Sequence, residues 1–260
     1  MTFIGIIPAR MAASRFPGKP LALLCGRPMI EHVYRRATRA SCFDRVYIAT
    51  PDREIYEAAL HFGAPAIMTS AAHTRATDRV AEAAHGLHAD VVVNIQGDEP
   101  LLEPSALDLL HDAMCADATL TCANLVNRIT TDEEFRSPNQ IKVVCDCHLN
   151  VLYMSRQPIP SSTPAGPDRL RQLGVIAFRR DFLKTFAALP QTPLEVAESI
   201  DMLRAVEHGF TVRAVMSPYE SFGVDTPDDL HAAEAALARN PRVADLFRPS
   251  HVDERSRADQ

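Results

Sequence analysis

The loop that follows the first apolar run of the chain carries a concentration of positive charge. Arg10, Arg15 and Lys19 lie within ten residues, and Gly18 precedes the lysine. A guanidinium group offers a planar fork to phosphate oxygens, an ammonium group is a compact point charge, and a glycine lets a ligand approach the backbone. Lysine occurs only three times in the chain, so its position here is informative. This combination suits a triphosphate, and the alternative is a solvated basic loop.

Two acidic turns lie far apart in the sequence. The segment Gln96–Pro100 directly follows the apolar run Val91–Ile95, and Gly223–Pro227 precedes a helical pattern. A carboxylate such as Asp98, at the end of a buried strand, is well placed to bind Mg²⁺. Taken singly, the first segment is also good turn chemistry, and Asp225 also suits a helix N-cap. Together the two carboxylates could form a magnesium site that phosphate oxygens and water complete.

The hydrophobic pattern of the first half alternates between strands and helices, which predicts an α/β fold with a mostly parallel central sheet and helices on both faces. The expected strands are Phe3–Pro8, Val46–Thr50, Ala66–Met68 and Val91–Ile95. The expected helices are Pro28–Ala40, Asp52–Phe62, Thr77–His85 with Thr77 as its N-cap, and Pro104–Met114.

The second half of the chain is less regular. It predicts strands at Leu120–Leu125, Ile141–Cys145, Val151–Met154, Leu173–Phe178 and Thr211–Val215, a capped turn at Thr131–Phe135, and helices at Asp181–Ala188 and Pro227–Arg239. A capping box at Thr192–Glu195 predicts one helix that continues to His208, with Val196, Ile200 and Leu203 on one face. The proline-rich segment Pro158–Pro167 is expected to be an exposed loop.

Composition excludes several classes of protein. The chain has 260 residues, of which 47% are hydrophobic and 23% charged, and this is ordinary globular usage. A net charge of −6 argues against nucleic acid or an anionic membrane as the main partner. No apolar run is long enough to span a bilayer, and no basic region precedes Phe3–Ala9, so we expect a cytoplasmic protein with free thiols. The segment Cys145–His148 lacks a second ligand pair, which disfavours a zinc site.

Several motifs occur together in one order along the chain. They are Pro8-Ala9-Arg10 with Arg15 and Pro17-Gly18-Lys19-Pro20, then Ala76-Thr77-Asp78-Arg79, Gln96–Pro100, Ser155-Arg156 with Ile159-Pro160, Pro193-Leu194-Glu195 and Gly223–Pro227. In this combination, from about Phe3 to Leu237, the chain resembles the CMP-KDO synthetase family, the 3-deoxy-manno-octulosonate cytidylyltransferases. The resemblance implies a Rossmann-like nucleotidyltransferase fold, a homodimer, CTP and Mg²⁺. It also implies that the anomeric hydroxyl of a sugar acid attacks the α-phosphate and releases pyrophosphate, for lipopolysaccharide or capsule biosynthesis.

The resemblance also assigns expected roles to individual residues. Arg10, Lys19, Asp98 and Asp225 would be catalytic, and the two aspartates would hold Mg²⁺. The nucleotide would contact Pro8, Ala9, Arg10, Arg15, Lys19, Thr77 and Arg79. The acceptor would contact Gln96, Arg156, Gln172 and Asp201. One domain is expected over residues 1–240, with a dimerisation and acceptor region at about 132–190 and a flexible tail at 241–260.

The departures from the family pattern fall mostly on the acceptor side. Gln172 replaces a histidine, Ile176 replaces a tyrosine, Asp201-Met202 replaces Glu-Gln, and Ser161–Pro164 replaces a Trp-Asp-Arg segment. A site that lacks the partners of a substrate's polar groups selects against that substrate. Two alternatives therefore stay open: another acceptor, such as a phosphonate, a neuraminate-like acid or a sugar phosphate, and a non-catalytic nucleotide-binding protein.

Overall fold

The computed structural model describes residues 1–12, 16–161, 167–221 and 223–239. The strands in this part of the chain are β1 (Phe3–Pro8), β2 (Leu23–Leu24), β3 (Arg27–Pro28), β4 (Arg45–Thr50), β5 (Ala66–Met68), β6 (Val91–Ile95), β7 (Cys122–Arg128), β8 (Lys142–Cys145), β9 (Val151–Ser155), β10 (Leu170–Arg179) and β11 (Arg213–Met216). The predicted tail 241–260 lies outside the described residues, as do Arg15 and residues 162–166, which are half of the predicted loop at Pro158–Pro167.

Helices follow most of these strands. They are α1 (Met29–Ala37), α2 (Arg53–His61), α3 (Ala76–Ala84), α4 (Pro104–Ala116), α5 (Asp132–Arg136), α6 (Arg180–Ala188), α7 (Pro193–Glu198), α8 (Met202–Glu207) and α9 (Pro227–Ala238), with a short 3₁₀ turn at Lys19–Leu21. Within the described ranges, no helix combines the length and the apolar character needed to cross a bilayer.

The chain divides into two compact units, and the first comprises Met1–Asp108 with the described part of Glu220–Gln260. Its strands lie in the order β6-β1-β4-β5, and every pair is parallel. All residues of β1 and β6 are buried, and all except Asn94 are apolar, which is the composition expected of parallel strands that are covered on both faces. The carboxyl ends of β1 and β6 therefore lie side by side at one edge of the sheet, where open α/β sheets bind their ligands.

The second unit comprises Leu109–Tyr219 and has a mixed sheet. Strand β7 pairs in parallel with β11 and antiparallel with β10, and β8 lies antiparallel to both β10 and β9. The β7–β10 register shifts between Gln172 and Ile176. The side chain of Asn124 fills this irregularity and donates to the carbonyls of Leu173 and Val175, at 3.0 Å each. These bonds compensate for ladder bonds that the bulge interrupts.

The structure confirms the α/β class and the predicted strands, and it corrects several local expectations. The helix predicted from Pro193 to His208 is wrong: α7 ends at Glu198, Ser199 has φ 55° and α8 begins at Met202. Val196 is 59% exposed and does not share a buried face with Ile200. Pro28 is the N-cap of α1 rather than its first residue. The hairpin β2–β3 was not predicted.

Candidate active site

The basic loop follows the carboxyl end of β1, and hydrogen bonds donated by its backbone amides hold it at both ends. The Met11 amide donates to the Asp52 carboxylate at 2.7 Å, and the Gly18 amide donates to the Met11 carbonyl at 3.0 Å. Gly18 has φ 74°, a conformation that glycine adopts without steric cost. This turn starts the 3₁₀ segment whose first residue is Lys19. The lysine side chain thus extends from a fixed backbone.

The first acidic turn follows β6 and packs closely against the end of β1. A Cβ atom at Gly97 would lie 3.1 Å from the Pro8 carbonyl oxygen, so glycine permits this approach of two backbones. Asp98 comes next and is partly exposed. The parallel strands and the small residue therefore place the Asp98 carboxylate beside the start of the basic loop.

The second acidic turn lies directly against the first, although the two are more than a hundred residues apart in the chain. The Val224 amide donates to the Asp98 carbonyl at 2.8 Å. Val224 is fully buried, in a cluster with Leu24 and Met29, and this packing anchors the turn. The Asp229 carboxylate accepts hydrogen bonds from the amides of Asp225 and Thr226 at 3.0 and 2.9 Å. The capping box of α9 thereby fixes the backbone of Asp225.

Lys19 joins the two acidic turns. Its Nζ lies 2.8 Å from Asp98 Oδ2 and 3.3 Å from Asp225 Oδ1. The lysine side chain is 13% exposed and the carboxylates are 31% and 30% exposed, so all three groups also meet water. A single ammonium group within contact of both carboxylates shows that one small cation can be shared by Asp98 and Asp225.

The loop before α3 forms another wall and is held by Arg79. This guanidinium is buried and donates to Thr69 Oγ1 at 2.6 Å and to the carbonyls of Ser70 and His73 at 3.2 Å. Burial lowers the pKa of Arg79, and the positive charge of Arg10 lowers it further. The two guanidinium groups therefore add to one positive field in the cleft. Arg79 supports the loop through all three of these bonds.

Glu82 holds the same loop from α3. Its carboxylate accepts from the Ser70 amide at 2.9 Å and contacts His73 Nε2 at 2.6 Å. Burial raises the pKa of Glu82, but these hydrogen bonds and the nearby charges outweigh burial, and the net shift is downward. The ionised carboxylate is therefore the form that holds the loop.

Thr77 is placed differently from the sequence prediction. The N-cap of α3 is Arg75, and Thr77 lies within the first turn of the helix with 1% of its surface exposed. The Asn94 side-chain amide on β6 donates to Thr77 Oγ1 at 3.3 Å. This hydrogen bond between Thr77 and Asn94 connects the first turn of α3 to the central strand β6.

These segments enclose a cleft of about 270 Å³. Of the predicted site residues, Pro8, Ala9, Arg10, Lys19, Arg79, Gln96, Asp98 and Asp225 line it, together with Phe16, Pro20, Gly97 and the segment His73–Ala76. Arg10 is exposed at its surface. A volume of this size, with cations from two walls and two carboxylates at one end, suits a phosphorylated ligand with its metal.

The donor set of this cleft fits magnesium. Asp98 and Asp225 offer hard carboxylate oxygens, and Mg²⁺ commonly takes one or two protein carboxylates, with water and substrate phosphates as its other ligands. Among the described residues, no group of three or more His, Cys, Asp or Glu side chains converges on one point. A site of this kind would therefore hold the ion together with a nucleotide.

The predicted acceptor residues other than Gln96 lie in the second unit. Gln172 Nε2 donates to Asn124 Oδ1 at 2.6 Å. Arg156 Nε donates to the Glu198 carbonyl at 2.9 Å and its Nη1 donates to the Pro138 carbonyl at 2.9 Å. Asp201 is the N-cap residue of α8. Each of the three is partly exposed.

Sequence reasoning missed the residues that hold this cleft in shape. Asp52, Glu82 and Asp229 each accept backbone amides from segments that form the cleft or support it. Asp229 could have been found, because it is the third residue of a helix that follows Thr226-Pro227, the pattern of a capping box. Asp52 and Glu82 accept from amides that lie 41 and 12 positions away in the chain, and no local motif marks such contacts.

Comparison with known proteins adds to this geometry. A family model described as cytidylyltransferase matches residues 4–216. A 3-deoxy-manno-octulosonate cytidylyltransferase of Syntrophobacter fumaroxidans is 45% identical over 92% of this chain and 98% of its own. One of the same name from Anaeromyxobacter sp. is 49% identical over 91% and 97%. A solved structure of CMP:2-keto-3-deoxy-manno-octonic acid synthetase with CTP superposes with a TM-score of 0.87, 38% identity and 92% and 99% coverage.

Proposed function

The chain belongs to the cytidylyltransferase family, and from this premise we propose that it transfers CMP from CTP to the anomeric hydroxyl of KDO or a related 2-keto-3-deoxy sugar acid, with release of pyrophosphate. The observation that carries the proposal is the contact of Lys19 with both Asp98 and Asp225 in the cleft that Arg10 also lines. The name and CTP complex of the similar solved structure support the choice of nucleotide and acceptor.

The cationic residues of the cleft act on the triphosphate. Phosphoryl-type transfer depends mainly on positioning and charge stabilisation, with little covalent work for the protein. Lys19 and Arg10 bind the phosphates and stabilise the negative charge that develops on the departing pyrophosphate. Arg79 contributes through the positive field that it shares with Arg10. Its hydrogen bonds to the loop before α3 keep that wall in place for the nucleoside.

The two aspartates serve the metal and the attacking group. Asp98 and Asp225 would hold Mg²⁺, which would supply Lewis-acid polarisation of the α-phosphate and would lower the pKa of the attacking hydroxyl. The backbones of Asp98 and Asp225 are fixed by the Val224–Asp98 backbone bond and by the Asp229 cap. Each carboxylate therefore extends from a fixed backbone toward the position that the Lys19 ammonium group occupies. Pure nucleotide binding does not require both carboxylates, so their pairing favours catalysis over a non-catalytic binding protein.

Gln96, Arg156, Gln172 and Asp201 are the proposed acceptor residues. Arg156 supplies a cation for the acceptor's carboxylate, and Gln172 supplies a neutral amide whose orientation Asn124 fixes. We further propose that the protein works as a homodimer in the cytoplasm and that its product serves lipopolysaccharide or capsule biosynthesis. The names of these relatives, which refer to 3-deoxy-manno-octulosonate, support a sugar acid as the acceptor.

Pyrophosphate release tests the proposal. The purified protein is incubated with CTP, Mg²⁺ and one acceptor at a time: KDO, an amino-substituted KDO, a neuraminate, a phosphonate and a sugar phosphate. We expect CTP-dependent release that is fastest with KDO or its amino-substituted analogue. Faster release with a neuraminate, a phosphonate or a sugar phosphate would show that the acceptor is not KDO and would leave the proposed transfer of CMP from CTP intact. Tight CTP binding without release for any acceptor would refute the enzyme.

A further inference from the structure

The end of helix α7 has a backbone conformation that its sequence does not favour. Ser199, the residue after Glu198, has φ 55° and ψ 49°. This left-handed conformation costs a non-glycine residue about 1–2 kcal/mol. The flanking sequence predicts a continuous helix, so the surrounding structure must stabilise the break. Strained residues of this kind collect at functional sites, which directs attention to the contacts that the break makes possible.

The break gives the backbone of Glu198 a new partner. In a continuous helix the Glu198 carbonyl would accept from the amide four residues later. Here it accepts from Arg156 Nε at 2.9 Å. A backbone carbonyl is a fixed acceptor, so the guanidinium plane of Arg156 is oriented by the place at which α7 ends. The two residues are 42 positions apart in the chain.

The side chain of Glu198 holds the backbone of the same arginine. Its carboxylate accepts from the Arg156 amide at 2.8 Å, from Ser155 Oγ at 2.6 Å and from the Tyr153 hydroxyl at 3.3 Å. Burial raises the pKa of Glu198, but these donors and the charge of Arg156 outweigh burial, and the net shift is downward. Glu198 is thus an anion with three donors from the end of β9.

Arg156 is fixed from the opposite side as well. The fully buried Lys142 donates to the Arg156 carbonyl and to the carbonyls of Ser137 and Gln140. The Pro138 carbonyl accepts from Arg156 Nη1 at 2.9 Å. The amide, the carbonyl and two side-chain nitrogens of Arg156 are therefore all engaged. Such complete fixation suits a cation that must meet a ligand in one geometry.

We propose that Glu198, which ends helix α7 at the left-handed residue Ser199, is a positioning residue that orients Arg156 toward the acid group of the acceptor. This inference rests on the proposed function, because it takes the acceptor to be a sugar acid. Glu198 does not touch the acceptor and acts through Arg156. Loss of this orientation therefore weakens acceptor use and leaves CTP use nearly unchanged.

Steady-state kinetics of Glu198→Gln test this role, with Glu207→Gln as the matched control. Glu207 also accepts two backbone amides, those of Leu194 and Glu195, but at the start of α7. We expect Glu198→Gln to raise the KM for the sugar acid about tenfold, the effect of one weakened charge-assisted hydrogen bond, and to change the KM for CTP less than twofold. Glu207→Gln should leave both KM values near those of the wild type.

A second pair of variants isolates the backbone conformation. Ser199→Gly retains easy access to the left-handed region, whereas Ser199→Val disfavours it. We expect the glycine variant to keep the acceptor KM and the valine variant to raise it, with melting temperatures recorded for both.

The outcomes separate the two claims. The first outcome is a wild type that turns over a sugar acid while Glu198→Gln and Ser199→Val change the KM for CTP and the KM for the acceptor equally, or change neither. This outcome would assign Glu198 a purely structural role and would overturn this inference alone. A wild type that uses no acceptor with a carboxylate would overturn the proposed function and this inference with it.

Discussion

Replacement of Lys19 by methionine should have opposite effects on two ligands. Methionine keeps most of the volume of the lysine and removes its charge. In the free protein the Lys19 ammonium group contacts both Asp98 and Asp225 and therefore competes with a divalent cation for them. Without it, the two carboxylates should bind Mn²⁺ more tightly in the absence of nucleotide. The triphosphate of CTP should bind more weakly, because it loses a cationic partner.

The expected size follows from the two contacts. A hydrogen bond to a charged group contributes about 1.5–3 kcal/mol. Because both carboxylates are about one-third exposed, water screens the pair, and we count only one such bond, about 2 kcal/mol. At 1.4 kcal/mol for each factor of ten, this is roughly a 25-fold change in affinity. We expect tighter Mn²⁺ binding and weaker CTP binding, each by about this factor.

Titration of Mn²⁺ by electron paramagnetic resonance measures the first effect, and calorimetric titration of CTP and CMP measures the second. CMP binding should change far less than CTP binding, because CMP lacks the β- and γ-phosphates. Lys184→Met is the matched control, since that lysine is 54% exposed and pairs with Asp181 on α6, outside the cleft segments. An unchanged or weaker Mn²⁺ affinity in Lys19→Met would show that the lysine does not compete for the metal site.

Three further perturbations probe other parts of the account. Asp225→Asn should lower turnover by about 100-fold with a nearly unchanged melting temperature, because the Asp229 cap holds its backbone; normal turnover at saturating Mg²⁺ would remove Asp225 from the site. Arg204→Met should lower the free energy of unfolding in urea by about 3–5 kcal/mol, because the fully buried Glu195 carboxylate loses its arginine partner; a decrease below about 1 kcal/mol would contradict this. Glu82→Gln should lower the melting temperature at neutral pH. Since the folded pKa of Glu82 lies below its ordinary value, this difference should disappear as the pH falls through that pKa; a constant difference would show that the charge has no role.

Much of the way in which the charged residues meet in the cleft could be predicted from local features of the sequence. Strands β1 and β6 are apolar on both faces, which predicts a buried parallel pair. Their carboxyl ends must then lie together, so Arg10 and Asp98 were expected on one edge of the sheet. Gly18 and the Thr226-Pro227 pair mark the turns on which Lys19 and Asp225 depend. No single motif located Asp225 in the cleft, because its turn alone suits a helix N-cap equally well. Its pairing with Asp98 was a hypothesis from the two carboxylates together, and the family resemblance implied the same pairing.

The features that sequence reasoning missed depend on contacts across long stretches of chain. The pattern of α7 and α8 is that of one helix, and the break at Ser199 is stabilised by Arg156, which lies more than forty residues earlier. The bulge in β10 depends on Asn124 from another strand. In both cases a tertiary hydrogen bond overrides the local preference, and periodicity alone carries no information about it.

A crystal of the protein grown with CTP and Mn²⁺ tests the shared cation most directly. The account predicts an anomalous manganese peak within coordination distance of a carboxylate oxygen of both Asp98 and Asp225, with the triphosphate in the same cleft beside Arg10 and Lys19. Manganese bound away from one of these aspartates, or a triphosphate seated outside the cleft, would contradict it.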